Sequence, residues 1–223
     1  MTEALNRLEG DGRRRALSNY FGAAVAIRSI TMDDQPFGAL LDPDKGTAPG
    51  WRTFLSASID RSAMRYQARL EAAFGNVATL VDKARERLAA VPESPDKTLA
   101  HGDFLPGNVM IGDDLEVSAV LDFGAWTLVA EPSYDATGAA MFCEVTNECR
   151  PADWTFLRSL LLDGSNQAAI DVMTAYRVYF AFTLFDPMDA AGLYPKLYPW
   201  NVRTLGGLSD GTVGDWVQES GVN

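Results

Sequence analysis

The sequence contains one histidine and two cysteines, and this scarcity excludes several kinds of site. Cys143 and Cys149 are too few and too oddly spaced for a disulfide framework or a structural zinc site. No apolar run reaches the roughly 20 residues that cross a bilayer, which argues against a membrane protein. Residues 1–15 are polar and charged, which predicts no signal peptide. We therefore expect a cytoplasmic protein with reduced thiols.

Positive charge is also scarce, because 19 Lys and Arg residues face 30 Asp and Glu residues, for a formal net charge of −11. Nucleic-acid binding needs clustered cations, so this balance excludes a nucleic-acid partner. An acidic surface could favour a cationic ligand, but acidity that only maintains solubility is the better explanation of the charge. A length of 223 residues with 47% hydrophobic content suits one domain, or one domain with a small appendage, and we expect a single domain spanning residues 1–223.

Apolar residues recur at helical spacing in two segments, and a third segment is apolar nearly all round, as in a buried central helix. These predicted helices cover residues 14–30, 62–90 and 168–185. The second is expected to be one long amphipathic helix in which Gly75 is the weak point. Residues 31–50 are rich in proline and glycine and predict a loop, and the tail after Tyr194 is expected to be loop-rich and loosely packed.

Residues 97–123 differ in character from the helical segments on either side. Two short extended runs, "NVMI" and "LEVSAVLDF", flank the turn "GDD", which predicts a β-hairpin that turns at 112–114. The expected fold is therefore mainly α with a small β-hairpin, an α+β arrangement. Its parts are a helical segment over 1–96, a polar loop and hairpin over 97–130, and a helical segment over 131–223.

Four polar residues cluster around this hairpin: His101, Asp103, Asn108 and Asp122. A hairpin returns the end of its second strand to the start of its first, so Asp122 should lie near Asn108 and Asp103. Two carboxylates and an amide oxygen suit Mg²⁺, and an acid not bound to metal can deprotonate a hydroxyl. Taken singly, His101 is better explained as a core histidine, Asp103 as a turn cap and Asn108 as a turn residue. Their joint occurrence in this order favours a site.

Three ordered motifs resemble those of the aminoglycoside phosphotransferase and choline kinase family, which is related to protein kinases. "HGDFLPGN" resembles its catalytic loop, "VLDFGAW" its metal-binding motif and "EPSYDATGA" a later segment. The resemblance implies that Asp103 is the catalytic base and that Asn108 and Asp122 hold a Mg²⁺ that bridges the nucleotide phosphates. It also implies that His101 and Asp135 are structural supports of the loop.

The sequence departs from the family at two places. The family often has a histidine where Leu105 stands, a position that is not essential to the chemistry. A nucleotide-binding lobe is also not recognisable, because no Gly-x-Gly-x-x-Gly run occurs and the lysines before His101 are only Lys45, Lys83 and Lys97. None of them lies in a recognisable strand beside a glutamate partner. The resemblance therefore covers the large C-terminal lobe of a protein-kinase-like fold.

The resemblance implies an enzyme that moves the γ-phosphoryl group of ATP or GTP to a hydroxyl of a small molecule. An aminoglycoside, another antibiotic or a metabolite fits that description, a cationic acceptor included. Three explanations of the unrecognised lobe stay open: a fragment or truncated gene model, a one-lobe protein completed by a partner chain or a second copy that covers exposed apolar surface, and a scaffold subunit of a biosynthetic complex. Phosphorylation of Ser or Thr in a peptide is a further alternative. Two converging carboxylates argue against an inert scaffold, because without a cation their repulsion is costly.

Overall fold

The computed structural model describes residues 1–185, Gly192 and residues 194–218. Within them the chain is mainly helical with short antiparallel strands, as the sequence predicts. The helices are α1 (Thr2–Arg7), α2 (Gly10–Ile27), α3 (Trp51–Arg65), α4 (Gln67–Phe74), α5 (Val77–Leu88), α6 (Tyr134–Phe142), α7 (Pro151–Leu162), α8 (Gln167–Thr183) and α9 (Leu197–Asp210). The strands are β1 (Phe37–Ala39), β2 (Thr47–Ala48), β3 (Thr98–Ala100), β4 (Val109–Ile111), β5 (Val117–Val120) and β6 (Leu128–Ala130). None of the described helices has both the length and the apolar character needed to cross a membrane.

The described chain divides into two compact units. The first unit consists of Met1–Thr47 and Asp96–Gly164, and the second of Ala48–Pro95 and the residues described between 165 and 218. The prediction of a single domain over 1–223 stays a prediction. Every residue proposed for the site lies in the first unit.

In the first unit, α2 packs against α6 and α7, while a small sheet carries the loop of interest. The strand order is β2-β1-β6-β3, and β6 pairs antiparallel with both β1 and β3. Val129 of β6 is opposite Gly38 on one side and Leu99 on the other, so the middle of this strand is buried. These strands lie partly in segments expected to be loop. Strands of two or three residues are too short to show the alternation of apolar and polar residues from which a strand is predicted.

The predicted β-hairpin is present in the first unit. β4 and β5 pair antiparallel, with Val109 opposite Val120, and the register shifts at Ile111. The turn closes through a bond from the Gly112 N–H to the Glu116 carbonyl, and Leu115 adopts a φ of 66° within it. The hairpin therefore turns where the "GDD" motif predicts.

A buried ion pair joins the first and last long helices of the first unit. The Arg13 guanidinium donates to both carboxylate oxygens of Asp153, with an Nε–Oδ1 distance of 2.8 Å, and to the backbone carbonyl of Glu148. Removing one partner would leave an uncompensated buried charge, so this pair fixes the docking of α2 on α7. Cys143 and Cys149 are free and buried in the same unit.

In the second unit, the expectation of one long helix over 62–90 is wrong. The segment contains the end of α3 and the whole of α4 and α5. Tyr66 interrupts the helix with φ −108° and ψ 17°, and Gly75 ends α4 with a φ of 77°. Both short helices bury apolar residues of the predicted pattern, namely Leu70 in α4 and Leu80, Val81, Ala84 and Leu88 in α5.

The tail after Tyr194 is also not the loose loop that composition suggested. Helix α9 packs on α8 and buries Trp200 and Leu205, and Trp216 beyond it donates its indole N–H to the Thr174 hydroxyl at 2.9 Å. Helix α8 itself is buried from Met173 to Phe182, as its apolar sequence predicts. Residues 219–223 of the predicted tail lie outside the described residues, as do residues 186–191 and 193, which follow the predicted 168–185 helix.

Candidate functional site

The polar loop that starts at His101, directly after β3, is held in place by Asp135. This residue lies in the first turn of α6, and its carboxylate accepts the His101 N–H at 2.6 Å and the Gly102 N–H at 3.0 Å. Only 6% of Asp135 is exposed. Burial raises the pKa of Asp135 to about 6, against the two backbone hydrogen bonds, which favour the ionised form. One carboxylate thus satisfies two backbone donors at the start of the loop.

Gly102 is where the loop meets the segment after the hairpin. Its φ is 80°, in the left-handed region that favours glycine. A Cβ atom at this position would lie 1.9 Å from the Trp126 carbonyl oxygen, so the close approach excludes any side chain. The backbone of the loop at Gly102 is therefore in direct contact with the backbone of Trp126.

The single histidine is fully buried and bridges two parts of the site. His101 Nδ1 accepts the Asp103 N–H at 3.2 Å, and Nε2 lies 2.7 Å from the Leu121 carbonyl oxygen. Both contacts are satisfied together by the tautomer that carries its proton on Nε2. The ring also meets Phe123 edge-on, with centroids 4.8 Å apart. His101 thus occupies the position that a structural support would need.

Asp103 and Asn108 are joined across the loop. The Asn108 side-chain amide donates to the Asp103 backbone carbonyl at 2.9 Å and approaches the Asp103 carboxylate at 3.4 Å. Burial raises the pKa of Asp103, and repulsion from Asp122 adds to this effect. The nearby His101, the hydrogen bond from Asn108 and the cation of Lys45 oppose it. Since the amide nitrogen of Asn108 faces Asp103, its side-chain oxygen is directed elsewhere.

Asp122 comes directly after the hairpin and lies beside this pair. The Leu121 N–H donates to the Asn108 carbonyl at 2.8 Å, which extends the β4–β5 pairing by one residue and places Asp122 next to it. Asp122 is exposed and has a φ of 63°, which is rare for a residue with a side chain. Its carboxylate folds over Gly124, where a Cβ would lie 3.2 Å from Oδ1. The structure thus brings Asp103, Asn108 and Asp122 together as the hairpin argument predicts.

The donor set of this site fits a magnesium ion. Asn108 and Asp122 offer hard oxygen donors, which Mg²⁺ prefers, and Mg²⁺ commonly uses one or two carboxylates together with substrate phosphates and water. Within the described part of the chain, no group of three or more His, Cys, Asp or Glu side chains is placed to hold a metal ion alone.

Lys45 is a further neighbour of the site, from a polar loop that the sequence favours as solvated rather than as a contact to substrate. It lies in a 3₁₀ turn before β2, and its ammonium donates to the Ala125 carbonyl at 2.8 Å and stands 3.2 Å from the ring centre of Trp126. Burial lowers the pKa of Lys45, whereas the charges of Asp42 and Asp103 oppose this shift. Eighty positions separate Lys45 from Ala125, and no local pattern indicates such a contact.

Large apolar side chains are exposed on the same strands and loops. We call these the apolar rim, and 40–50% of each residue is accessible to solvent. The rim consists of Met110, Leu121, Phe123 and Trp126. Solvation of four such side chains is unfavourable, so this part of the first unit is suited to contact with another apolar group.

Comparisons with known proteins agree with the motifs. The model of a family described as the phosphotransferase enzyme family, APH, matches residues 3–169. A search of curated proteins finds no match.

Solved structures similar to the chain include a thermostable mutant of the aminoglycoside phosphotransferase APH(4)-Ia in complex with AMP-PNP and hygromycin B. It is 19% identical with a TM-score of 0.63, over 94% of this chain and 67% of that one. The apo form of a thermostable mutant is 20% identical with a TM-score of 0.59, over 94% and 68%. A complex with ADP and hygromycin B is 19% identical with a TM-score of 0.60, over 94% and 67%. The chain thus spans about two thirds of these structures, and the likeness establishes the fold.

Proposed function

The chain belongs to the phosphotransferase enzyme family, and we propose that it transfers the γ-phosphoryl group of ATP to a hydroxyl group of a small molecule. The observation that carries the proposal is the half-buried carboxylate of Asp103, held by Asn108 and placed beside the exposed Asp122. An acid that can accept a proton therefore lies next to a donor set for Mg²⁺ and phosphate. This is the arrangement that phosphoryl transfer requires.

In this proposal Asp103 is the catalytic base. The acceptor hydroxyl oxygen forms a new bond to the γ-phosphorus while the bond from that phosphorus to the bridging oxygen of ADP breaks, and ADP leaves with the electron pair. The hydroxyl proton passes to the Asp103 carboxylate and then to solvent. Burial raises the pKa of Asp103, which makes the ionised carboxylate a better proton acceptor. The bond between the Asp103 N–H and His101 fixes the backbone from which this carboxylate projects.

Asn108 and Asp122 are proposed as the ligands of Mg²⁺. The ion would neutralise charge on the nucleotide phosphates when bound. Asn108 is oriented by its bonds to Asp103, and Asp122 by the left-handed backbone that turns its carboxylate over Gly124. His101 and Asp135 are proposed as structural supports, because their side chains form hydrogen bonds with the backbone of the loop and, for His101, with the Leu121 carbonyl.

The nucleotide and the acceptor are proposed from the similar structures. Those proteins are aminoglycoside phosphotransferases described with AMP-PNP or ADP and with hygromycin B. ATP is therefore the first nucleotide to test and GTP the second. A polyhydroxylated, cationic acceptor of the aminoglycoside class suits a chain with a net charge of −11, because opposite charges attract over several ångströms. We place the reaction in the cytoplasm, where the two free thiols would stay reduced.

The apolar rim favours a second candidate function, that of a kinase-like subunit completed by another chain. Its side chains Met110, Leu121, Phe123 and Trp126 are accessible on the elements that carry the proposed site. A partner chain or second copy that covers them would remove apolar surface from water and enclose the nucleotide. In this candidate the chemistry and the residues are those given above, and activity depends on the partner.

The test is a turnover assay on the full 223-residue chain with Mg²⁺-ATP, Mg²⁺-GTP and a panel of hydroxylated acceptors that includes hygromycin B. Release of ADP that depends on the acceptor is expected, and Asp103→Asn should reduce it by about 10²- to 10⁴-fold. Asp113→Asn is the matched control, because Asp113 is an exposed acid in the hairpin turn and its change removes the same charge. Equal turnover of the Asp103→Asn variant and the wild type would refute the base assignment. No transfer by the chain alone, but transfer after addition of a co-purified protein, would favour the subunit function.

A further inference from the structure

Tyr20 of α2 connects the core of the first unit to the loop of the proposed base. Its side chain is fully buried, and its hydroxyl donates to the Phe104 carbonyl at 2.6 Å. The Ala139 carbonyl of α6 lies 3.4 Å from the same hydroxyl. Both neighbours are carbonyl oxygens, which only accept, so the tyrosine is the donor. Since Phe104 directly follows Asp103, this bond reaches the peptide unit next to the proposed base.

The bond from Tyr20 differs in origin from the other restraints on Asp103. The Asp103 N–H donates to His101, and the Asp103 carbonyl accepts from Asn108. Both of those partners belong to the loop itself and would move with it. Tyr20 lies 84 positions from Phe104, on a helix that packs against α6 and α7. It therefore ties the loop to the helical core of the first unit.

Ring contacts place Phe104 between Tyr20 and the histidine of the loop. The Tyr20 and Phe104 rings have centroids 5.2 Å apart, and the Phe104 ring meets His101 edge-on at 5.7 Å. All three side chains are buried, so they form one packed group. Packed interiors transmit a displacement instead of absorbing it. A shift of the loop at Phe104 should therefore also change the surroundings of the His101 ring.

The Tyr20 hydroxyl has a task that packing alone does not require. A phenylalanine ring would occupy the same space without the cost of burying a hydroxyl group. Within the described part of the chain, this hydroxyl is the one donor to the Phe104 carbonyl. Its loss would leave a buried acceptor unpaired, which favours a shift of the loop towards water or another donor. Displacement of a catalytic group by about 1 Å can reduce turnover about a hundredfold.

We propose that Tyr20 is a positioning residue, which holds the Phe104 carbonyl and thereby fixes the Asp103 carboxylate against the acceptor hydroxyl. The inference rests on the proposed function, since it concerns the same reaction. Tyr20 acts through the backbone of the loop and not by contact with a substrate. None of the three motifs includes Tyr20, and only the fold reveals its bond to the loop. The alternative is that Tyr20 only stabilises the packing of α2.

The first test measures turnover and nucleotide binding in variants of the full chain. Tyr20→Phe removes the hydroxyl and keeps the ring, so kcat with a hydroxylated acceptor should fall about tenfold to a hundredfold. Mg²⁺-ATP affinity, measured by titration calorimetry, should change less than about threefold, because Tyr20 does not hold the proposed ligand Asp122. Replacement of Tyr20 by 4-aminophenylalanine, through nonsense suppression, keeps an N–H donor and should restore kcat to within about threefold of the wild type.

Tyr176→Phe is the matched control. Tyr176 is also a fully buried tyrosine, and its hydroxyl accepts the Trp51 indole N–H at 2.9 Å in the second unit. Both changes remove one buried hydroxyl group, so both should lower stability in urea by similar amounts. Only the change at Tyr20 should reduce kcat.

Nitrogen-15 NMR of His101 tests the same contact without turnover, since His101 is the one histidine in the sequence. Tyrosine and phenylalanine rings fill nearly the same space, so a shifted His101 ring signal in Tyr20→Phe indicates movement of the loop. In Tyr176→Phe the signal should coincide with that of the wild type.

The outcomes separate this inference from the proposed function. An unchanged kcat in Tyr20→Phe, an equal loss in Tyr176→Phe, or no recovery with 4-aminophenylalanine overturns the assignment. If near-UV circular dichroism shows Tyr20→Phe unfolded, the 4-aminophenylalanine variant decides: wild-type turnover supports the assignment and a loss of tenfold or more overturns it. If the wild type transfers to no acceptor, the proposed function fails and the NMR comparison decides. A His101 signal that shifts in Tyr20→Phe alone then supports the assignment, and an unshifted signal overturns it.

Discussion

The Nε2 atom of His101 lies 2.7 Å from the carbonyl oxygen of Leu121 and ties the loop of the proposed base to the end of the second hairpin strand. Because Nδ1 of the same ring accepts the Asp103 N–H, we expect the Nε2–H tautomer in solution near neutral pH. Nitrogen-15 NMR can test this without assignment, since His101 is the only histidine. A ring protonated on Nδ1 alone would contradict the hydrogen-bond arrangement.

Gly102→Ala should destabilise the first unit by at least about 2 kcal/mol, through its left-handed backbone and the clash with the Trp126 carbonyl. Urea unfolding measures this cost, and phosphoryl transfer should fall with it because the loop cannot keep its position. Gly107→Ala is the control in the same loop, since a Cβ at Gly107 meets nothing within 4 Å. Equal stability of the two variants would refute the close approach at Gly102.

The buried carboxylate of Asp135 should make stability depend on pH between about 4 and 6. Burial raises its pKa to about 6 from an ordinary value of 3.8, so the folded protein retains the proton at pH values where the unfolded chain has lost it. The contribution of Asp135 to stability is therefore full below about pH 4 and declines as the pH rises to about 6, by up to about 3 kcal/mol.

Urea unfolding of the wild type and Asp135→Asn across this range gives the measurement. The asparagine does not titrate, so the stability of the wild type should fall relative to the variant as the pH rises from 4 to 7. The opposite trend would mean that the two backbone hydrogen bonds outweigh burial and keep the pKa of Asp135 low.

Asp122→Asn should reduce the part of nucleotide binding that depends on Mg²⁺ by about tenfold or more, because a metal ligand loses its charge. Binding measured in EDTA should change little. Titration calorimetry with ATP in the presence and absence of Mg²⁺ checks both statements, and Asp113→Asn again controls for the lost surface charge. A loss that is equal with and without Mg²⁺ would contradict the metal role of Asp122.

The hairpin and the site were predictable because their signals are local. The turn at 112–114 and the alternation in "LEVSAVLDF" determine the pairing of β4 and β5, and that pairing alone brings Asp122 to Asn108. The family resemblance added roles to these residues but was not needed for their proximity.

The remaining features depend on contacts distant in sequence or on very short elements. No glycine or proline indicates the break at Tyr66. The tail helix α9 contains Pro199 and Gly206, which lower helix propensity, but its packing on α8 outweighs that effect. The contact between Lys45 and Ala125 joins residues far apart in the chain, and only the fold reveals it.

The left-handed backbone at Asp122 lowers the stability of the fold at a position whose carboxylate is proposed to bind the metal. Glycine adopts a φ of 63° without the cost, roughly 1 kcal/mol, that a residue with a side chain incurs. Selection of variants for heat resistance alone should therefore recover glycine at this position early. Such variants would be more resistant to thermal unfolding but would lack the carboxylate proposed to hold the metal. Engineering of this chain for stability should therefore keep Asp122 unchanged.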